Sequence, residues 1–316
     1  MPAPVALFVY NRPEHTRKVL RALIKNKLFD ESEIFIFSDG PKIDDDNIKI
    51  SEVRKIIKSH NLKNVNVIEH SSNLGLSKSI VQGVNKIIND YGEIIVIEDD
   101  ILVSQFFLAN LNNALTTYKD EEKVIAISGY TFPHTEILPE FFFITFPAVW
   151  GWATWKRGWD LFQSDSNSLL NTLNMNNLLD KHDHKKSFPY KRMLEDNAKG
   201  IIDSWGIRWY SSGVVAEKYT MMFNESQVEN IGHDNSGYHS ANTEVHKVSL
   251  SDKSYKIDLV GISENELVNR QLKNYLHKVL YDSYLNLADV CDERLELINK
   301  LTKIADERLK IIDSKK

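Results

Sequence analysis

Three consecutive carboxylates, Glu98-Asp99-Asp100, stand directly after the apolar run Ile94-Ile95-Val96-Ile97 and before Ile101-Leu102-Val103. Acids held side by side at the carboxyl end of a strand repel one another, and each raises the pKa of its neighbours unless a cation shares the site. A divalent cation with a preference for hard oxygen ligands is the natural partner. The same three residues also fit an acidic junction between a strand and a helix, with the carboxylates facing water.

Two earlier apolar runs end in residues that turn to the same crevice. Asn11-Arg12-Pro13 closes the first and Ser38-Asp39-Gly40-Pro41 the second. Arg12 suits a phosphate or a base, and Asp39 suits a base N–H or a ribose hydroxyl. The plain alternatives are a loop ion pair and a turn aspartate before Gly-Pro. A third loop, Asn73-Leu74-Gly75-Leu76-Ser77-Lys78, opens a helix with a glycine that permits close backbone approach and brings Asn73 and Lys78 to the rim; capping alone also explains it. Together these residues form a set suited to a nucleoside diphosphate, whose phosphates need a cation to neutralise them and to stabilise the leaving group. No G-x-x-x-x-G-K or G-x-G-x-x-G occurs, which argues against kinases and nicotinamide enzymes.

The elements that must position these residues are legible from periodicity. Val5 to Tyr10, Ile34 to Phe37, Val65 to Ile68, Ile94 to Ile97 and Val124 to Ile127 read as buried strands. Helical stretches are expected at Pro13 to Lys27, Ile48 to His60, Leu76 to Asn89 and Ser104 to Tyr118, with Pro13 suited to a first turn. The alternation predicts an α/β fold with a mostly parallel, doubly wound sheet and helices on both faces, binding its ligand beyond the carboxyl ends of the strands. We expect residues 1–128 to form a nucleotide-binding half, 129–262 an acceptor and catalytic half of the same domain, and 263–316 a helical extension.

In that extension Asp292-Glu293-Arg294-Leu295 recurs as Asp306-Glu307-Arg308-Leu309, an offset of 306 − 292 = 14, or two heptads. Cys291, Ile298, Ala305 and Ile312 share one heptad position, while Arg294 and Arg308 sit where a second apolar seam is expected. Either a coiled coil forming a homo-oligomer or a single amphipathic helix packed on the domain fits. All six tryptophans fall between 150 and 209; Trp152 and Trp205 are candidate sugar platforms for the acceptor, although such clusters also serve as core. Lys181-His182-Asp183-His184-Lys185-Lys186 reads as a solvated loop rather than a metal tract.

Composition narrows the class. The net charge of −5 and the absence of a Lys/Arg cluster argue against a nucleic acid partner. The single cysteine, Cys291, permits no intrachain disulfide and suits a reducing cytoplasm. Phe141 to Trp155 is the longest uncharged run, too short and too interrupted to span a bilayer, though its aromatics suit peripheral contact with a membrane.

The order VALFVYNRPEHT, FIFSDGP, SSNLGLSKS, EIIVIEDDI, FPAVWGWATW, DSWGIRW and NIGHDNSG resembles the family-2-like bacterial glycosyltransferases of GT-A fold, and also the N-acetylglucosaminyltransferase I type, over roughly residues 3 to 240. The resemblance implies a metal-dependent inverting transfer of a sugar, hexosyl or N-acetylhexosaminyl, from a nucleoside diphosphate (UDP above GDP or dTDP) to a glycan or lipid-linked acceptor in surface polysaccharide assembly. It implies Asp100 as ligand of Mn²⁺ or Mg²⁺, Glu98 and Asp99 beside the donor sugar and ribose, and Arg12 and Asp39 as nucleotide contacts. Asp203 becomes the general base, Arg208 a phosphate or acceptor contact, and His233 part of the segment over the diphosphate. A carboxylate that takes the acceptor's proton is what the chemistry needs, although Asp203 also suits a helix N-cap. Two other classes stay open: a sugar nucleotidyltransferase, whose Gly-rich loop after the first strand is missing here, and a non-catalytic carbohydrate-binding scaffold.

Overall fold

The computed structural model describes residues 1–145, 149–234 and 243–313, with only the backbone considered at 288–290, 292, 293, 299 and 305–313. Every apolar run read as a strand is one: β1 (Val5–Val9), β2 (Ile34–Ser38), β3 (Val65–Glu69), β4 (Glu93–Glu98) and β6 (Val124–Ser128), with the short β5 (Ile101–Val103) between the last two. The expected helices follow as α1 (Pro13–Ile24), α2 (Asp46–Ser59), α3 (Leu76–Tyr91) and α4 (Phe107–Thr117). Pro13 begins α1 with its fixed φ, and Gly92 ends α3 in the left-handed region that glycine enters without strain.

Beyond these come β7 (Phe141–Ile144), β8 (Trp152–Trp155), α5 (Lys156–Trp159), α6 (Ser166–Met175), α7 (Leu179–His182), α8 (Tyr190–Ala198), α9 (Trp205–Val215), β9 (Tyr219–Phe223), β10 (Val228–Asn230) and α10 (Glu266–Asp313). The central eight-stranded sheet runs β3-β2-β1-β4-β8-β6-β9-β7. It is mostly parallel and Rossmann-like: β3, β2, β1 and β4 run together, as do β6 and β9. β8 slots antiparallel between β4 and β6, and β7 runs antiparallel to β9. That insertion departs from a simple alternation of parallel strands and helices. It arises because Trp152–Trp155, all four residues buried, supplies a strand apolar on both faces.

Strand periodicity divides the core between the two faces of the sheet. Val5, Leu7 and Val9 of β1 pack with Leu20 and Leu23 of α1 and Val53 of α2, whereas Ala6 and Phe8 face Ile80, Val84 and Ile87 of α3. Trp152, Trp159, Trp205 and Trp209 join the α3 side, so the tryptophan cluster is core. Outside the main sheet, β5 and β10 form an antiparallel ribbon with Val103 opposite Val228, Leu102 opposite Glu229 and Ile101 opposite Asn230. The base of α10 packs on the domain through Val268, Leu272, Tyr275 and Leu276. Among the described residues, no helix is long and apolar enough to cross a membrane.

Candidate active site

The parallel register of β1, β2 and β4 puts their carboxyl ends at one edge, because Phe8 pairs with both Phe37 and Glu98. Arg12, at the entry to α1, therefore reaches the acidic triplet. Its Nη2 donates to Asp100 Oδ2 at 3.0 Å and more closely to Asp99 Oδ1, while the Tyr10 N–H donates to Asp99 Oδ2 at 3.2 Å. The counter-charge that the triplet requires is thus present in the chain itself. Burial, then the charges of Asp100 and Asp99, push the Glu98 carboxyl up to about 8. Burial also raises Asp99, against the opposing pull of Arg12.

Asp39 is buried and its oxygens are taken up by the third loop. Oδ1 accepts from the N–H groups of Gly40 at 2.8 Å and Leu74 at 2.9 Å, and Oδ2 from Asn73 Nδ2 at 3.0 Å and the Gly75 N–H at 3.1 Å. Four donors fill the lone-pair positions of one carboxylate, so Asp39 and Asn73 here hold the loop that leads into α3. Gly75 has φ 79°, which an L side chain rarely adopts. Lys78 lies exposed in the first turn of α3. Tyr10 and Asn11 donate to Asp46 at 2.7 and 2.8 Å, fixing the loop before α2; these bonds hold the Asp46 carboxyl down at about 2.

The β5–β10 ribbon brings the other end of the chain to Asp100. The Ile231 N–H donates to the Asp100 carbonyl at 2.9 Å, and a Cβ on Gly232 would stand only 2.4 Å from Asp100 Oδ2. His233 follows. Both of its ring nitrogens are buried and lack a hydrogen-bond partner among the described residues. Burial lowers its pKa, opposed by the charges of Asp100 and Asp234, so the ring is held as the neutral imidazole that can offer a lone pair. Orphaned buried nitrogens beside a carboxylate fit a divalent cation whose remaining ligands come from a substrate's phosphates. Among the described residues no three His, Cys, Asp or Glu side chains converge into a metal cage. Asn235, Ser236 and Gly237 of the same sequence segment lie outside the described residues.

Residues not singled out in the sequence surround His233. Trp150 meets its ring edge-on at 5.6 Å and His246 lies against it at 4.6 Å. His246 Nδ1 is 2.6 Å from the Tyr275 hydroxyl on α10, which is 3.3 Å from the Tyr130 hydroxyl. His15, in the first turn of α1, has Nε2 3.2 Å from both the Ile231 carbonyl and Asp234 Oδ2. Only His15 left a signal in the sequence: two residues past Pro13, it shares Arg12's helix start.

Asp203 is largely exposed and accepts from Arg208 Nη2 at 3.0 Å, while the same nitrogen donates to Ser77 in the first turn of α3. The residue that caps α9 is Ser204, whose Oγ accepts from the Ile207 N–H at 3.3 Å, so Asp203 is not spent on the N-cap. Two readings need correction. Trp152 and Trp205 stack on each other at 5.5 Å and are 1% and 4% exposed, which leaves no face for a sugar. His182 is fully buried with Nε2 2.9 Å from Ser211 Oγ, so the Lys181–Lys186 stretch is anchored at that residue, while Lys185 and Lys186 are exposed.

Residues 5–131 match the family model described as Glycosyl transferase family 2. That stretch holds Arg12, Asp39, the third loop and the acidic triplet, and it supports a glycosyltransferase. No curated protein sequence matches the chain. Solved structures similar to part of it include a mannosyltransferase from Pyrobaculum calidifontis in complex with GDP-Man and Mn²⁺, at 16% identity and TM-score 0.30, covering 42% of this chain and 38% of that one. TarS 1–349 from S. aureus in complex with UDP has 16% identity and TM-score 0.33, covering 44% and 38%. TarS 1–349 alone has 12% identity and TM-score 0.42, covering 71% and 59%. The chain thus spans less than two thirds of the length of each of these structures.

Proposed function

We propose that the chain is an inverting, metal-dependent glycosyltransferase that moves a sugar from a nucleoside diphosphate, UDP in the first instance, to a hydroxyl of a glycan or lipid-linked acceptor in surface polysaccharide assembly. The observation that carries this is His233, whose two ring nitrogens are buried without partners among the described residues and whose ring feels the charges of Asp100 and Asp234. Asp100 and His233 would hold Mn²⁺ or Mg²⁺, which when bound neutralises the diphosphate and stabilises it as a leaving group. Arg12 holds Asp99 and Asp100 in place, and then stands ready for a phosphate oxygen. Asp39 and Asn73 shape the nucleotide's bed through the loop they hold, with Lys78 at its rim, and Glu98 and Asp99 border the donor sugar and ribose.

Asp203, oriented by Arg208, accepts the proton of the acceptor hydroxyl as that oxygen bonds to the anomeric carbon. The bond from that carbon to the diphosphate breaks, and attack from the opposite face inverts configuration. The test is binding and turnover of a panel of nucleotide sugars with and without Mn²⁺, for wild type, Asp100→Ala and Asp203→Ala. Metal-dependent binding lost in the first variant, and binding kept with turnover lost in the second, is the expected result. No metal-dependent binding of any nucleotide sugar overturns the proposal.

A further inference from the structure

We propose that the outer part of α10 is a self-association surface whose occupant is a second copy of this chain, with the two helices antiparallel. At its base the helix is gripped by the domain: Val268, Leu272, Tyr275 and Leu276 are buried, and Thr243 Oγ1 donates to Asp282 at 2.5 Å. Beyond Asn286 every described side chain as far as Ile304 is exposed. At about 1.5 Å per residue, residues 287–313 make roughly 40 Å of helix, and its described side chains, as far as Ile304, have no cover from the domain. A helix in water is marginal by itself and gains its stability from packing an apolar face.

The uncovered face is apolar and regularly spaced. Leu280, Tyr284, Leu287, Cys291, Ile298 and Leu301 follow at intervals of four and three, with one position, Arg294, interrupting. Tyr284, Leu287, Ile298 and Leu301 are 65%, 62%, 58% and 56% exposed. This stripe is centred about a quarter of a turn round from the side that grips the domain, so most of it lies outside the contacts already made. The sequence continues the same heptad positions through Ala305, Arg308 and Ile312.

Arg294 and Arg308 set the orientation. In a parallel, in-register pair each arginine would face its own copy, two like charges in the seam. In an antiparallel pair with Ile298 opposite Leu301, the matched positions sum to 298 + 301 = 599. Arg294 then falls opposite Ala305 and Arg308 opposite Cys291, each a small residue next to acids, Asp306 and Glu307 in one case and Asp292 and Glu293 in the other. The repeated Asp-Glu-Arg-Leu gives both arginines the same kind of partner. A lipid surface is the poorer occupant, because residues 284–313 carry seven acids against five bases and no basic face.

The experiment is sedimentation velocity on the full chain over a wide concentration range, for wild type and the double variant Ile298→Asp with Leu301→Asp, with thermal unfolding to verify that the domain stays folded. A concentration-dependent dimer in wild type, and a folded monomer in the variant, is expected. A wild type that stays monomeric, or a variant that dimerises as well as wild type, overturns the proposal, as does a monomer that instead pellets with phosphatidylglycerol vesicles. Orientation is read by air oxidation and non-reducing electrophoresis. In the antiparallel pair Cys291 lies about 25 Å from its copy, too far for a disulfide. Arg308→Cys is expected to give covalent dimers with Cys291 of the second copy; a covalent dimer of wild type overturns the antiparallel arrangement.

Discussion

Replacing Gly232 by alanine probes the closest approach in the site. The new Cβ would stand 2.4 Å from Asp100 Oδ2 and 3.0 Å from its Cβ and Cγ, against a normal separation of about 3.5–4 Å. Either the Asp100 carboxylate swings aside or β10 lifts from β5. Relieving an overlap of this kind costs about 1–3 kcal/mol. If the carboxylate moves, that energy is subtracted from cation binding, and at 1.4 kcal/mol per tenfold the Mn²⁺ affinity falls by about 5- to 150-fold. If the ribbon lifts, the same energy appears as lower stability of the metal-free protein. Mn²⁺ titration followed by electron paramagnetic resonance and denaturant unfolding without metal separate the two cases. Gly261→Ala is the control, since a Cβ there has nothing within 4 Å. A Gly232→Ala protein with wild-type Mn²⁺ affinity and wild-type stability would refute the site as drawn.

Asp203→Asn should keep nucleotide-sugar binding and lose turnover by at least about a hundredfold, the usual range for removing a general base; a kcat near wild type assigns the base elsewhere. Because the folded Glu98 carboxyl titrates at about 8 rather than 4.5, the folded chain holds a proton that the unfolded chain releases. Stability from this group is therefore greatest below pH 4.5 and declines as pH rises to 8. Glu98→Gln should gain about 2–4 kcal/mol over wild type at pH 8 and almost nothing at pH 4.5, measured without metal; an equal difference at both pH values contradicts it. Trp152→Ala should cost about 3–5 kcal/mol of stability, and a variant that unfolds like wild type but loses acceptor binding would restore Trp152 to the sugar site. Tyr275→Phe removes the partner of His246 and should cost about 1–3 kcal/mol, with a smaller loss of Mn²⁺ affinity than Asp100→Ala; unchanged unfolding would show that the hydroxyl pairing is dispensable.

What was legible in the sequence is what short-range pattern encodes. The runs Val5 to Tyr10 and Ile94 to Ile97 declared themselves by apolar, β-branched composition, and Pro13 marked a helix start through its own backbone preference. The meeting of Arg12 with the triplet followed from parallel strand order. The β5–β10 ribbon did not show, because two three-residue strands carry too little periodicity and their pairing joins residues more than a hundred positions apart. Trp152 was misread since an aromatic suits a core and a sugar equally, and only the burial by α3 and α9 decides between them. Asp39 looked like a free ligand because nothing in its neighbours announces that Leu74 and Gly75 turn their N–H groups to it.

That ribbon has a consequence for how the protein comes into being. Asp100 leaves the ribosome long before Val228–Asn230, the strand that leads into His233. A nascent chain carries β1 to β4, and with them the clasp of Asp39, before it carries His233, the second residue proposed to hold the cation. On the proposed function, activity requires β10 docked and His233 in place, and a chain ending before Val228 is expected to bind no cation. On that reading, the long closure between Asp100 and His233 acts as a check on completeness.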